Sequence, residues 1–463
     1  MPLVVIPSSI VGEGQMNVGS FAKGVMGCIG SANLHMERVV KVVTADDHGA
    51  ANEGARRVED LNTKQVGNKK NNTMEIIRTF HPVGQGAFYS ERFYKDEERA
   101  AGYNIVFDCG TSWGYIGKMK KVVSQAFNQN DEIDYLFISH LDYDHVSLVD
   151  TLLTTVHLVR NIVLPLISEE ELLIVQSYHR ISNHGSVVAF LQKIIRHIRG
   201  IHDDDYANGD YSIIFVGSEV NPNIIGANGR IWINGTAQAG RWTPDWVFIP
   251  YNVGYRSRKQ ELIMQFDSLL AKPDFNQEMI RIGEAPVQNG GELYERLKTQ
   301  AFVRTVLEND AMKKAIKKAY ENLPGGTNEN SLLLYSGPAN IENDYEVMYG
   351  IPYHVWYWRN IYEAGCLYTG DSNCDLENWR DKKYANVWDN IGTIQLPHHG
   401  SLDSFDVTAN PLDRPYVFPV SCGSVNSYGH PSGKVLAYLL MNGCLPHIVT
   451  EMAGTLLMER IRG

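Results

Sequence analysis

The sequence lacks the features of a membrane-spanning or secreted protein. It has no apolar run of about 18 residues, and its start, "MPLVVIPSSIVGEGQ", has neither the basic beginning nor the long apolar stretch of a secretory signal. Its six cysteines form no CxxC pair, which indicates reduced thiols rather than a disulfide framework. We therefore predict a globular, cytoplasmic protein without a membrane partner.

Positive charge is also scarce. The chain has 42 Lys and Arg against 53 Asp and Glu, a formal net charge of −11 at pH 7. A protein that coats nucleic acid by bulk electrostatics needs a basic surface, so that class is excluded, whereas a local basic groove stays open. A carboxylate-lined metal site would itself add negative charge, which bound cations cancel.

The chain does contain enough apolar residues for a large core, since 44% of its 463 residues are hydrophobic. From about residue 74, strand-like and helix-like segments alternate, which predicts an α/β fold. We expect an N-terminal extension at 1–73, the first half of an α/β domain at 74–167, a mostly helical insertion at 168–327 and the second half of the domain at 328–463.

One short stretch, "SHLDYDH", concentrates side chains that bind metals. His140, Asp142, Asp144 and His145 lie within six residues, directly after the apolar strand "DYLFI". Alternate side chains of an extended segment point to the same side, so this strand end could offer two ligands to each of two metal ions. The alternative is that Asp144 caps the next helix and the others form a polar loop.

Two later strand ends repeat this design. "GCLYTGD" ends in Asp371, where a carboxylate could bridge two cations, and "TIQLPHHGS" places His398 and His399 directly after a strand. Each stretch alone fits an ordinary polar loop. Three such strand ends in one α/β chain indicate a shared site.

The order of "VGQG", "FDCG", "SHLDYDH", "YTGD", "LPHHGS" and "YGHPS" resembles the metallo-β-lactamase fold, in particular the hydrolase domain of ComEC-type DNA-uptake proteins. The resemblance covers about residues 76–150 and 328–456. It implies a metallo-β-lactamase-like αββα four-layer sandwich, here with a helical insertion. It also implies a centre that holds two divalent metal ions.

The resemblance implies roles for particular residues. It implies these metal ligands: His140, Asp142, Asp144, His145, Asp371 and His398. Among the implied catalytic residues, Asp144 would orient the attacking water, and His399 or His430 would give a proton or hydrogen bond to the leaving oxygen. Substrate contacts are expected from Asn330, Ser401 and His430. The alternative for His430 is a loop residue that caps the following helix.

Two positions depart from the family pattern. Asp142 replaces a histidine of the family pattern. Asn328 or Asn330 stands where many relatives carry a second metal-binding histidine. Because oxygen ligands suit harder cations, we expect two manganese ions, with zinc and magnesium as the other candidates.

We predict a metal-dependent hydrolase, specifically a phosphodiesterase or nuclease that attacks DNA or RNA with a metal-activated water. One alternative is a hydrolase of a cyclic nucleotide, lactone or thioester, which the acidic net charge favours. Another is a metal-stabilised scaffold that binds a protein partner through the insertion. The lysines of "MKKAIKKAY" fit an exposed helix face or a groove for nucleic acid. The sequence leaves the oligomeric state open.

Overall fold

The computed structural model describes residues 74–95, 101–199, 211–217, 231–232, 238–239, 246–252, 258–323, 331–339, 345–350, 357–359 and 362–463. The predicted N-terminal extension lies outside these ranges. So does Asn330, an expected substrate contact, and so does Asn328, the other asparagine at the place where many relatives carry a histidine.

The described residues form a mixed α/β fold, as predicted, with two large sheets. The first sheet contains β1 (Met74–Phe80), β2 (Phe88–Lys95), β3 (Ala101–Cys109), β5 (Tyr135–Phe137), β7 (Asn161–Pro165), β8 (Ser212–Val216), β9 (Ile231–Trp232), β13 (Glu346–Gly350), β14 (Tyr357–Arg359) and β19 (Leu457–Arg462). Its spatial order is β14-β13-β19-β1-β2-β3-β5-β7-β8-β9. Strands β3, β5, β7 and β8 run parallel, and their nearly continuous apolar runs suit strands covered on both faces.

The second sheet has the order β10-β11-β12-β15-β16-β17-β18. Its members are β10 (Gln238–Ala239), β11 (Trp246–Asn252), β12 (Leu332–Pro338), β15 (Gly365–Tyr368), β16 (Ile391–Ile394), β17 (Val417–Ser421) and β18 (Leu445–Val449). The last four strands are parallel. A separate pair joins β4 (Glu132–Ile133) to β6 (Leu158–Val159). Each large sheet therefore has a parallel section whose strands end at a common edge.

The helices follow in chain order: α1 (Ile116–Ala126), α2 (Tyr143–Val146), α3 (Val149–Thr155), α4 (Glu169–Ile181), α5 (Gly185–Ile198), α6 (Lys259–Leu270), α7 (Pro273–Arg281), α8 (Gly290–Leu297), α9 (Gln300–Leu307), α10 (Asp310–Glu321), α11 (Leu376–Asn378) and α12 (Gly433–Met441). None of the helices in the described ranges is long and apolar enough to cross a membrane.

Apolar side chains from both large sheets share one core. Phe107 of β3 stacks on Tyr368 of β15 with ring centroids 4.9 Å apart, and Trp246 of β11 packs edge-on against Phe93 of β2. A second core joins α1, α3 and α5 to the other face of β3, β5 and β7. A third joins α12 to β16 and β17. Strands of both sheets thus share one apolar core, and each sheet also packs against helices.

The range 168–327, predicted as a mostly helical insertion, also contains strands of both large sheets. Strands β8 and β11 lie within this range and pair into the first and second sheets. Both are apolar and largely buried, so they belong to the sheets' cores. The helices fall into two groups, α4–α5 and α6–α10, and α4 joins the second group in a core of its own through Ile174 and Ile181.

Candidate metal centre

The predicted site residues meet at the carboxyl ends of parallel strands from both sheets, where ligands commonly bind in α/β proteins. From the first sheet, Asp108 lies at the end of β3 and His140 follows β5. From the second, Asp371 follows β15, and His398 and His399 follow β16. Residues distant in sequence therefore converge because both sheets place their strand ends at one edge.

Asp371 occupies the middle of the cluster. Its Oδ1 lies 3.1 Å from His145 Nε2, while its Oδ2 lies 3.8 Å from His140 Nε2 and 3.7 Å from His398 Nε2. The two carboxylate oxygens therefore face different histidines. This arrangement is the one expected of a carboxylate that bridges two cations.

The histidines of the first sheet are both held through Nδ1. His140 Nδ1 is 2.9 Å from Ser139 Oγ, and His145 Nδ1 is 2.9 Å from Asp108 Oδ2. The Ser139 hydroxyl donates in turn to Asp108, so it accepts from the N–H of His140. In both rings, the hydrogen bond at Nδ1 directs Nε2 toward Asp371.

The two histidines that follow β16 of the second sheet are also held through Nδ1. His398 Nδ1 is 2.8 Å from Ser404 Oγ, and His399 Nδ1–H donates over 2.8 Å to the carbonyl of Ser421. His399 Nε2 faces Asp144 Oδ2 at 3.1 Å. Histidines that bind metals usually have their other ring nitrogen held in this way, because it fixes the tautomer and the ring orientation.

The donor atoms fit a divalent metal. Within the described residues, two groups of three have ligand atoms within 4.8 Å of one another: His140, His145 and Asp371, and Asp144, His145 and His399. Among the described residues, the buried Nε2 of His140 has no hydrogen-bond partner, and the buried Nε2 of His145 faces the Asp371 carboxylate at 3.1 Å. A buried imidazole nitrogen without a partner is costly, and a cation would satisfy it.

The cluster strongly perturbs proton affinities. Burial opposes the charged form of His145, but Asp371 and Asp108 outweigh it and raise its pKa well above the usual range. Burial would raise the pKa of Asp144, yet the hydrogen bond from His399 and the charge of His145 lower it to about 2. Burial and the charge of His145 lower the pKa of His140 to about 4. Such opposed shifts at one strand edge are typical of functional sites.

Strained backbone surrounds the cluster. Asp108, His398 and His399 have φ values of 55°, 47° and 53°, in the left-handed region that non-glycine residues seldom adopt. Each belongs to the cluster or holds one of its members. The strain is therefore located where side chains must be aimed, as expected at a functional site.

Close backbone approach also fixes the "SHLDYDH" loop. A Cβ on Gly110 would lie 2.3 Å from the carbonyl oxygen of Asp144, and a Cβ on Gly370 would lie 2.6 Å from Ser139 Cβ. The amide of Ala87, in "VGQGAF", donates to the same Asp144 carbonyl over 3.1 Å. Glycine is therefore needed at 110 and 370, because any side chain would displace the loop.

Asp144 is not the N-cap residue of the helix that begins here. Asp142 is the residue before α2, and its side chain makes no capping hydrogen bond, while the carboxylate of Asp144 pairs with His399. Asp142 lies at the margin of the cluster, with its Oδ2 3.8 Å from His140 Nε2.

The adjacent histidines face different carboxylates. His398, expected as the late ligand, is 32% exposed and faces Asp371. His399, expected as a proton donor, is 5% exposed and belongs to the group with Asp144 and His145. The positive φ at both residues turns their rings to different sides. The buried position of His399 fits a ligand better than a proton donor.

Two predicted substrate contacts lie in different surroundings. Ser401 is buried, and its hydroxyl accepts a hydrogen bond from the Asp403 amide, so its contact with a substrate stays a prediction. His430 is partly exposed, with its ring centroid 5.7 Å from that of His398. The helix after it begins at Gly433 with Ser432 as the N-cap residue, so the structure does not support the capping alternative for His430.

The sequence reasoning missed Asp108 and Ser139, which hold the histidines. The available signal was "FDCG", another apolar strand that ends in an aspartate. It also missed His179 of α4, which is buried and donates from Nε2 over 2.8 Å to the carbonyl of Leu141. This bond links the first group of helices to the loop between His140 and Asp142.

The lysines of "MKKAIKKAY" divide between two surroundings. Lys313 and Lys317 are half-buried, while Lys314 and Lys318 are exposed. Burial, followed by the positive charges of Lys317 and Lys313, lowers the pKa of His184 to about 4. The His184 ring lies 4.2 Å from that of Tyr143, inside the "SHLDYDH" stretch. One face of α10 therefore directs positive charge toward the cluster.

Sequence comparison agrees with this geometry. Residues 99–160 match the metallo-beta-lactamase superfamily. The matched segment runs from β3 to β6 and includes Asp108 and the whole "SHLDYDH" stretch. No curated protein matches the chain. The family match supports, in general terms, a metal-dependent hydrolase that uses divalent metal ions, and the mixed α/β architecture is consistent with that fold type.

Proposed function

We propose that this protein is a two-metal phosphodiesterase that cleaves nucleic acid, built on an αββα sandwich of four layers. One observation carries the proposal. Four histidines, His140, His145, His398 and His399, are each held at Nδ1 and direct Nε2 to the carboxylates of Asp371 and Asp144. Nothing in the packing of the fold requires this convergence, whereas metal binding does.

We assign the donors to two sets. His140, Asp142 and His398 would hold one ion together with Asp371 Oδ2, because His140 and His398 face that oxygen and Asp142 faces His140. Asp144, His145 and His399 would hold the other together with Asp371 Oδ1. In this assignment, His398 supplies the histidine that the family pattern places earlier in the chain.

Cations bound there would lower the pKa of a water molecule toward neutrality and neutralise charge on the phosphate oxygens. Asp144 accepts hydrogen bonds and is fully ionised at pH 7, since its pKa is about 2. Burial and the charges of His399 and His398 lower the pKa of His430, so at pH 7 its ring is neutral and can donate a hydrogen bond to the leaving oxygen.

Two features favour a phosphodiester as the substrate. The site takes three carboxylates, from Asp142, Asp144 and Asp371, which suits hard cations such as manganese and the phosphoryl chemistry they support. Lys313 and Lys317 add positive charge on the side of α10 that acts on His184. An anionic strand would gain from these lysines despite the acidic net charge of the whole chain.

We also propose a cytoplasmic location. The five cysteines in the described ranges are all unpaired, and four of them are buried. Reduced thiols in a protein of this size fit a reducing compartment.

The decisive experiment is cleavage of end-labelled single-stranded and double-stranded DNA by the purified protein with manganese, zinc or chelator. Asp144→Ala serves as the site variant. Asp389→Ala is the matched control, because Asp389 is 69% exposed and pairs only with Arg414 among the described ion pairs. We expect metal-dependent cleavage that Asp144→Ala abolishes and Asp389→Ala leaves unchanged.

A folded, metal-loaded protein that leaves both DNAs and a matching RNA intact would overturn the nuclease proposal. Cyclic nucleotides, lactones and thioesters would then be the substrates to test with the same three proteins. Hydrolysis of one of these that is lost in Asp144→Ala would establish the small-molecule alternative. Unchanged cellular function of Asp144→Ala would instead favour a scaffold.

A further inference from the structure

An exposed aromatic side chain lies beside the candidate metal centre. Tyr428 is 72% exposed, and no part of the mechanism above uses it. Its ring is nearly parallel to that of His430, with an interplanar angle of 10° and centroids 5.9 Å apart. One face of Tyr428 is thus turned to His430. Because most of the side chain remains in solvent, folding gains little from it.

The chain of ring contacts leads directly to the metal ligands. The His430 ring lies 5.7 Å from that of His398, whose Nε2 is 3.7 Å from Asp371 Oδ2. Tyr428 is therefore two ring contacts away from the central carboxylate. This separation suits a group attached next to the reacting phosphate rather than the phosphate itself.

The loop that carries Tyr428 is held firmly. Asn426 donates to the carbonyls of Gly423 and His430 and accepts from the His430 amide. The amide of Ser432 donates over 2.8 Å to the carbonyl of Gly400, directly after the two ligand histidines. The aromatic ring is therefore presented at a defined place relative to His398 and His399.

We propose that Tyr428 is the stacking surface for the nucleobase next to the cleaved phosphodiester. This inference rests on the proposed function and specifies which part of the substrate the rim recognises. A planar base could lie on the open face of Tyr428, with His430 on the opposite face of the tyrosine. Aromatic rings on rigid supports bind successive bases of single strands in this way, with little sequence preference.

Side chains of α4 and α10 support the same occupant. Burial, then the charge of Asp142, raises the pKa of Tyr178 on α4 to about 12. The Tyr178 ring lies 5.7 Å from that of Tyr320 on α10, the helix that also carries Lys313 and Lys317. These two helices therefore offer both aromatic surface and positive charge, which binding of a nucleotide uses.

The test measures binding and cleavage separately. Fluorescence anisotropy gives the affinity for a labelled thymidine hexamer and for an abasic hexamer with the same number of phosphates, in chelator so that neither is cleaved. The variants are Tyr428→Ala, Tyr428→Phe and the control Val425→Ala, whose residue is 81% exposed in the same loop. Each variant's urea midpoint is measured too.

We expect the unmodified protein to bind the thymidine hexamer about tenfold more tightly than the abasic one, because stacking of one base on an aromatic ring raises affinity by about that factor. Tyr428→Ala should abolish the difference, while Tyr428→Phe and Val425→Ala retain it. Because residue 428 is exposed, all three variants should unfold at the same urea concentration as the unmodified protein.

Equal binding of both hexamers by the unmodified protein, or a preference that survives in Tyr428→Ala, would overturn the inference. The proposed function is judged by a second readout, which is cleavage of the two hexamers when manganese is added. Cleavage of both without any base preference rejects the stacking surface alone. A base preference without cleavage supports Tyr428 as a base-binding residue and rejects the nuclease.

Discussion

Among the buried charges of the described residues, two clusters differ in how their charges are satisfied. The inter-sheet network consists of Arg78, Glu91 and Glu459, which lie between the two sheets with fully buried side chains. The candidate metal centre lies at the edge of the same sheets. Both place ionised groups in a low-dielectric interior, which is costly unless each charge finds a partner.

The inter-sheet network satisfies itself. Arg78 donates to Glu91 over 2.7 Å, to Glu459 over 2.5 Å and to the carbonyl of Ala364. The glutamates also accept from hydroxyl groups of the second sheet, contributed by Ser336, Tyr368 and Thr393. Its donors and acceptors thus join one sheet to the other.

The candidate metal centre leaves one of its buried nitrogens unsatisfied. Among the described residues, Nε2 of His140 has no hydrogen-bond partner, although a hydrogen bond fixes Nδ1 of the same ring. The comparison teaches that burial and charge alone do not indicate function. The distinguishing sign is a set of side chains that hydrogen bonds hold at one atom and whose other ligand atoms lie within 4.8 Å of one another.

The largest effect should come from Asp371→Asn, which removes the carboxylate that faces three histidines. Because bound cations contribute several kcal/mol to the transition state, we expect activity to fall about 10³-fold or more. Metal content by mass spectrometry should fall in parallel. The control Asp389→Asn should retain both, and normal metal content in Asp371→Asn would contradict the bridging role.

Arg78→Met should break the other cluster. Removing one partner from a buried ion network leaves uncompensated charge, so we expect a loss of about 3–5 kcal/mol in the free energy of unfolding, measured with urea. The fraction that stays folded should still bind metal. Arg460→Met is the control, since Arg460 forms a partly exposed pair with Glu75. Arg460→Met should lower the free energy of unfolding by about 1 kcal/mol or less.

Asp108→Asn should weaken the metal centre without removing a ligand. Asp108 accepts from His145 Nδ1 and from the backbone and hydroxyl of Ser139. Loss of such an orienting carboxylate typically lowers metal affinity about 10- to 100-fold. Competition with a chromophoric chelator measures it. An unchanged affinity would mean that the ring of His145 is positioned by its packing alone.

The smallest effect concerns pH. His81 is buried, no carboxylate in the described part of the chain pairs with it, and burial, then the charge of Arg92, lowers its pKa to about 3. Below about pH 6.5, His81 therefore binds a proton in the unfolded chain but not in the folded chain. The free energy of unfolding falls as the pH drops below about 6.5. His145 has a raised pKa, so its effect on stability has the opposite sign. Its contribution to the free energy of unfolding is lost as the pH rises through its pKa in the folded protein.

Urea unfolding of metal-free protein at pH 7 and pH 5 tests this difference. His81 should account for about 2 kcal/mol of the loss between these values, which His81→Gln should remove. Glutamine can keep a hydrogen bond to Ser90, whose hydroxyl lies 2.7 Å from the imidazole. An equal pH dependence in His81→Gln and the unmodified protein would show that His81 titrates normally.

Much of the site could be predicted because its ligands follow strands. "DYLFISHLDYDH" is local, so four residues of the cluster were visible as a group in the sequence. Asp371 was visible as the polar end of an apolar run. His179 was not, because its role depends on α4 packing against the Leu141 carbonyl, and a lone histidine in an amphipathic helix carries no such signal.

The sequence by itself determined the α/β class, the strand ends that carry the site and the residue types that bind divalent metals. These follow from apolar periodicity and side-chain chemistry, which act locally. Only the tertiary structure decided that His399 rather than His398 faces Asp144, that Asp108 holds His145, and that β8 and β11 divide the helical region. The reason is physical. A backbone turn directs the adjacent side chains of His398 and His399 to different places, and sheet pairing brings distant segments together. The types of the residues reveal neither effect.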